Sequence, residues 1–171
     1  MAKAGAMRPA SFLGVFLALA CVAPGPAWAV LGETRDALQK RFGRPDPQLR
    51  PQKNVTMWSI ETDASERLLY TVTFDEQGRS IGEGLKPVRN ARLVEKVARA
   101  FIDSQLAPYA GSETMRTVKP GEKYVFAGQE FTCGKNEEVM LDPANDIMIV
   151  WLRGRESYVL AVRAAMLAGG Q

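Results

Sequence analysis

Residues 147–152 read Ile-Met-Ile-Val-Trp-Leu, apolar at every position, and this run restricts the fold more than any other local feature. β-Branched and aromatic residues of this kind favour a strand. Successive side chains of a strand point to opposite faces, so Ile147, Ile149 and Trp151 share one face and Met148, Val150 and Leu152 the other. A large apolar side chain left in water forfeits about 1.5–3 kcal/mol. The fold therefore has to cover this strand on both sides. One cover is a predicted amphipathic helix over residues 90–105. Leu93, Val97 and Phe101 form one row at i+4, Val94, Ala98 and Ile102 the adjacent row, and Arg92, Glu95, Lys96, Arg99 and Asp103 the wet side. The second cover comes from within the chain or from a partner. The expectation is internal cover by the first β region, where Trp58, Tyr70 and Phe74 offer matching apolar surface.

The remaining elements follow from capping and periodicity. Thr34 is placed to cap a short helix over residues 35–42, with Leu38 and Phe42 on its apolar face and Leu31 reaching it from the preceding turn. Gly43 supplies the left-handed terminal position and Pro45 forbids continuation. Lys40, Arg41 and Arg44 meet the negative pole of that helix, worth a few tenths of a kcal/mol each, and require no anionic ligand. After a polar linker over residues 46–54, Thr56, Trp58 and Ile60 alternate, as do Leu68, Tyr70, Val72 and Phe74, the period of half-buried strands. Residues 75–78 turn the second strand into a third near residues 79–81, and residues 82–88 read as a breaker. Pro108, Gly111, Pro120 and Gly121 mark a loop. Four more strands are predicted, at residues 123–131, 137–141, 146–152 and 157–166, the last with a helical alternative from Val159. The predicted architecture is α+β: a two-layer sandwich with one long and one short helix on a largely antiparallel sheet.

The N-terminus carries Lys3 and Arg8, then an apolar stretch over residues 11–23, then Ala27-Trp28-Ala29. This is the pattern of a signal peptide cleaved after Ala29. Residues 12–23 fall short of the roughly 20 needed to span a bilayer. Lipidation at Cys21 is the minor alternative, with Ala18 where leucine is usual. Cleavage makes the protein periplasmic or secreted and leaves residues 30–171 as one domain, divisible into half-modules 30–86 and 87–171. It also removes two cations, so the net charge of +3 falls to +1. Balanced charge of this kind argues against tracking a phosphate backbone, and no nucleic-acid partner or membrane span after processing is expected.

The chain has no histidine. Ser-His-Asp and Cys-His catalysis are excluded, and with Cys133 as the one cysteine beyond Ala29 so is a cysteine-rich zinc site. Cys133 is expected to be a buried small hydrophobe in a monomer. Residues 75–80 and 142–147 are acidic but lack the alternating spacing of an EF-hand loop, and read as hairpin turns. Asn54-Val55-Thr56 fits the N-glycosylation pattern, which matters only in a eukaryotic secretory pathway. No catalytic, cofactor or metal residue is assigned. The leading expectation is a non-enzymatic exported module that binds another, unidentified protein. A carboxylate-dependent hydrolase is the alternative, with Glu137, Glu138 or Asp142 as its acids.

Residues 34–46, a helix closed by Gly43-Arg44-Pro45, resemble the helix and Gly-x-Pro stop that open small exported modules. These modules include the lipoprotein of the outer-membrane barrel-assembly machine and the β-lactamase-inhibitor-protein-like fold. The resemblance covers residues 32–81. It implies a helix packed on an antiparallel meander and a binding rather than a catalytic role, and it carries over no individual binding residue.

Overall fold

Thr34 opens the first helix by accepting a hydrogen bond from the Ala37 N–H on its hydroxyl, and α1 spans Arg35–Phe42. Gly43 ends it at φ 79°, with its N–H on the Gln39 carbonyl. A glycine is needed here because other residues strain at that angle. The computed structural model describes residues 28–49, 52–62, 67–89 and 91–168. The apolar stretch and Cys21 lie outside the described residues, whereas Trp28 and Ala29 lie within them.

A meander follows: β1 (Val55–Glu61), β2 (Arg67–Phe74) and β3 (Ser80–Pro87). The segment read as a breaker is therefore strand, and β3 is eight residues long. Its glycines admit close neighbours instead of ending it. A Cβ on Gly82 would lie 2.3 Å from Met166 Sδ, and one on Gly84 would touch Leu160. The long helix α2 runs Glu95–Leu106 and starts later than its periodicity predicts. Val94 is the N-cap, in extended backbone at φ −61° and ψ 131°, so the helix starts after it, and the Leu93 N–H before it is donated to the Ser157 hydroxyl. Val94 is consequently 38% exposed, outside the buried row, while Ala98, Phe101, Ile102 and Gln105 face the core.

The second half supplies β4 (Arg116–Val118), β5 (Lys123–Phe126), β6 (Gln129–Thr132), β7 (Glu137–Asp142), β8 (Ile147–Leu152) and β9 (Tyr158–Arg163), then a short α3 (Ala164–Ala168). Residues 123–131, expected as one strand, form the β5–β6 hairpin. Ala127 and Gly128 both adopt positive φ, 51° and 76°, the geometry of a two-residue hairpin turn. Residues 157–166 are strand as far as Arg163 and helix beyond it. Seven strands make one antiparallel sheet in the order β1-β2-β3-β9-β8-β7-β4, and β5–β6 stand apart. The protein is α+β, as its periodicities predict.

Register assigns the two faces. Trp58, Tyr70, Leu85, Val159 and Trp151 lie on one cross-strand row, and Thr56, Val72, Glu83, Ala161, Ile149 and Met140 on the next. Leu38 of α1 and Phe101 and Ile102 of α2 join these rows in the main core. The opposite face of β8 is covered inside the chain, but not by the first β region. Tyr124, Phe126, Phe131 and Cys133, from the hairpin and its exit, pack with Val139, Leu141, Met148 and Val150. The first β region cannot reach that side. Pairing of β3 with β9 places it in the same sheet, with Trp58, Tyr70 and Phe74 facing the helices.

Cys133 is 2% exposed, its thiol 3.7–3.8 Å from the carbonyl oxygens of Val118, Gly134 and Glu137. Burial, assisted by the charges of Glu137 and Glu122, pushes its pKa up, and the reactive thiolate is suppressed. The folded protein is expected to leave Ellman's reagent unreacted until denaturant is added, and to run as a monomer without reductant. Stoichiometric labelling of the native state, or a dimer abolished by Cys133→Ser, would contradict this.

Candidate functional site

A carboxylic acid lies in the middle of the main core. Glu83 is 0% exposed, in a row whose other members are Thr56, Val72, Ala161, Ile149 and Met140. Three side chains converge on it. The Tyr70 hydroxyl donates to Oε2 at 2.8 Å, the Gln105 amide to the same oxygen at 2.8 Å, and the Ser80 hydroxyl bonds Oε1 at 2.7 Å. Burial raises the Glu83 pKa, and the donated hydrogen bonds only partly oppose it. Burial and the nearby Glu83 charge also push the Tyr70 phenol far up, so it remains a donor.

The same side chains hold the segment that precedes α1. Gln105 donates to the Ala29 carbonyl at 2.7 Å and accepts from the Leu31 N–H at 3.0 Å. Ser80 accepts from the Gly32 N–H at 2.9 Å. Residues 28–32 are thereby tied to β3 and α2 through one polar cluster. Beside it lies a groove of about 450 Å³ whose wall includes Glu33, Asp75, Arg79, Ser80 and Arg163. Glu33 Oε2 and Arg163 Nε are buried there without a hydrogen-bond partner. Sequence reasoning missed Glu83 because the flanking glycines read as a breaker. The available signal was parity, since Glu83 and Leu85 share a face that Leu85 requires to be buried.

The acids proposed from sequence are not assembled into one site. Glu137 points to the hairpin side of the sheet and bonds the Gly134 N–H at 2.7 Å. Glu138 and Asp142 point to the helix side with Met140 between them. Glu138 takes Arg99 on both oxygens, and Arg153 as well. Burial works to raise its pKa, but the two guanidiniums outweigh that and hold it below the usual range. Asp142 accepts from Thr114 and from Asn145, at 2.7 Å for the latter. Its burial is likewise overcome by hydrogen bonds, and its pKa is lowered. Both acids are thus pushed in the same direction, whereas paired acid–base catalysis needs them pushed apart. Residues 75–78 and 142–146 are hairpin turns, as expected, with Gly78 and Asp146 at positive φ. Among the described residues no three acidic or cysteine side chains converge as metal ligands. No helix among them is long and apolar enough to cross a membrane.

A second feature is the sheet face away from the helices. In the second half it lies under the hairpin and α3. In the first half, Val55, Met57 and Ser59 of β1 and Leu69, Thr71 and Thr73 of β2 share that face and are all partly exposed. The outer edge of β1 is also the edge of the sheet. Neither a family model, nor a curated protein, nor a solved structure matches the chain.

Proposed function

We propose that this is a non-enzymatic exported protein-binding module of the cell envelope, and that it docks its partner on the open face of β1 and β2. The observation that carries this reading is the uneven cover of one continuous sheet. The hairpin shields the face on the β7–β8 side, while Val55, Met57 and Leu69 stay partly exposed among Ser59, Thr71 and Thr73. Apolar surface interleaved with hydroxyls suits a protein partner. The Glu61–Arg67 pair at 3.7 Å supplies a charged rim. The engagement of Glu137, Glu138 and Asp142 by other groups favours binding over hydrolysis.

The test is Met57→Lys combined with Leu69→Lys, since the long stems keep the strand covered while the ammonium groups oppose docking. The double variant is expected to stay within about 1 kcal/mol of wild-type stability. It should lose the proteins that the wild type captures from native envelope extract. Capture of the same proteins by the double variant would remove the open face from the reading.

A further inference from the structure

Trp28 and Ala29 are core residues, 4% and 0% exposed. The Trp28 ring packs against Tyr70, with centroids 6.4 Å apart, and edge-on against Phe101 at 6.3 Å. The Ala29 carbonyl accepts the Gln105 amide at 2.7 Å. Ala27-Trp28-Ala29 is also the sequence a signal peptidase would recognise. Cleavage after Ala29 would therefore remove the very side chain that fills this part of the core.

On the other side of the same bond the Val30 N–H lies 3.3 Å from Glu33 Oε1, which also takes the Arg41 guanidinium at 3.1 Å, while Glu33 Oε2 is buried with no hydrogen-bond partner. An amide has one proton to offer and cannot serve both oxygens. Hydrolysis of the Ala29–Val30 bond adds hydroxyl to the Ala29 carbonyl carbon and a proton to the Val30 nitrogen. The resulting amine, with a pKa of roughly 7.7–8.0, is largely an ammonium near pH 7. Its three N–H groups can meet both Glu33 oxygens.

We propose that processing after Ala29 vacates an aromatic seat on Tyr70 and Phe101, and that the exported protein refills it with an aromatic side chain of an extended partner peptide. The inference rests on the binding-module reading and adds the chemistry of one anchor. The occupant's chemistry is read from the present one: a ring, then a backbone carbonyl one residue later to accept from Gln105. The Trp28 indole N–H has no hydrogen-bond partner. The seat consequently recognises the ring and not the N–H, and a phenyl group meets the same requirement.

The full chain is to be expressed in an exporting host and the exported product weighed intact. That product is then titrated with acetyl-Ala-Trp-Ala-amide, acetyl-Ala-Phe-Ala-amide and acetyl-Ala-Leu-Ala-amide, with melting temperature as the readout. The expected mass is that of a chain starting at Val30. Both aromatic peptides should raise the melting temperature saturably, with the leucine peptide at least tenfold weaker. Phe101→Leu should weaken the aromatic peptides about tenfold and bring them to the level of the leucine peptide. Met57→Lys with Leu69→Lys should leave peptide binding intact, because the seat lies on the helix side of the sheet. Loss of the open-face reading is thus separable from loss of the seat. A product that retains Trp28 would overturn the proposal, and so would a Val30 product that ignores the peptides or binds all three equally.

Discussion

Trp151→Ala is expected to lower stability by about 3–5 kcal/mol, the range for removing a large aromatic side chain from a core. For a domain of this size that is a drop in melting temperature on the order of 10 °C. Trp151 is 3% exposed and lies in the row that links Trp58 and Tyr70 to the second half of the chain. Arg99 of α2 and Arg153 sit over its ring at 4.9 and 4.2 Å, and both also hold Glu138. Truncation therefore removes apolar contact and the platform that orients two guanidiniums. Trp151→Phe separates ring from indole. It keeps the platform and removes an N–H that has no hydrogen-bond partner, so its loss should stay below about 1.5 kcal/mol. Urea denaturation of both variants at an unchanged m-value checks this. An alanine variant within 1 kcal/mol of wild type would mean that the strand is not covered as described.

That prediction draws on a requirement visible in six consecutive residues, but only half of the answer was. An apolar run at positions 147–152 demands two covers, and the amphipathic residues around Ala98, Phe101 and Ile102 supply one directly. The other depends on which strands pair side by side. Trp58, Tyr70 and Phe74 have the surface to cover a strand face, and nothing local distinguishes covering it from extending the same sheet. The β3–β9 pairing decides the matter, and it joins residues about 80 positions apart. Its β3 partner was hidden by Gly82 and Gly84, whose meaning lies in the distant Met166 and Leu160 that occupy the space a side chain would need. Local signals were more informative where the structure itself is local. Thr34, Gly43 and Pro45 define the first helix, and residues 75–78 and 142–146 make their turns with their own side chains and neighbours.

The candidate site was less visible for a related reason. Glu137, Glu138 and Asp142 stand close in sequence beside turns. A β-strand sends neighbours to opposite faces, which separates Glu137 from Glu138, and Met140 stands between Glu138 and Asp142 on the face they share. Glu83 is brought to Tyr70, Ser80 and Gln105 by one bulged hairpin and one helix packing event. None of those partners is unusual in the sequence. The N-terminal strap shows the same limit. Trp28 and Ala29 fit a processing motif by composition, and only their packing on Tyr70, Phe101 and Gln105 reveals a second role.

Glu83→Leu should cost about 3 kcal/mol or more at neutral pH, because the Tyr70, Ser80 and Gln105 donors would each lose a buried acceptor. Glu83→Gln tests charge separately from hydrogen bonding. The folded carboxyl has a pKa above its ordinary 4.5, for which burial is the main cause, so the folded state retains the proton where the unfolded state has released it. Stability from this group is accordingly complete below about pH 4.5 and falls as pH rises from there to the folded pKa. The limiting slope is about 1.4 kcal/mol per pH unit for one proton. The depressed acids Glu138 and Asp142 act oppositely, losing stability as pH falls through their folded values. They are common to both chains and cancel in the difference. Wild type minus Glu83→Gln should therefore become less favourable as pH rises above 4.5, with the glutamine variant gaining on wild type until the folded carboxyl has ionised. The amide can keep the cluster connected by donating to the Ser80 hydroxyl, which would donate in turn to the Val30 carbonyl 3.5 Å away. Urea titrations at half-unit pH steps give the difference curve. Parallel stability profiles for the two chains would show that Glu83 ionises as freely in the fold as in the unfolded chain.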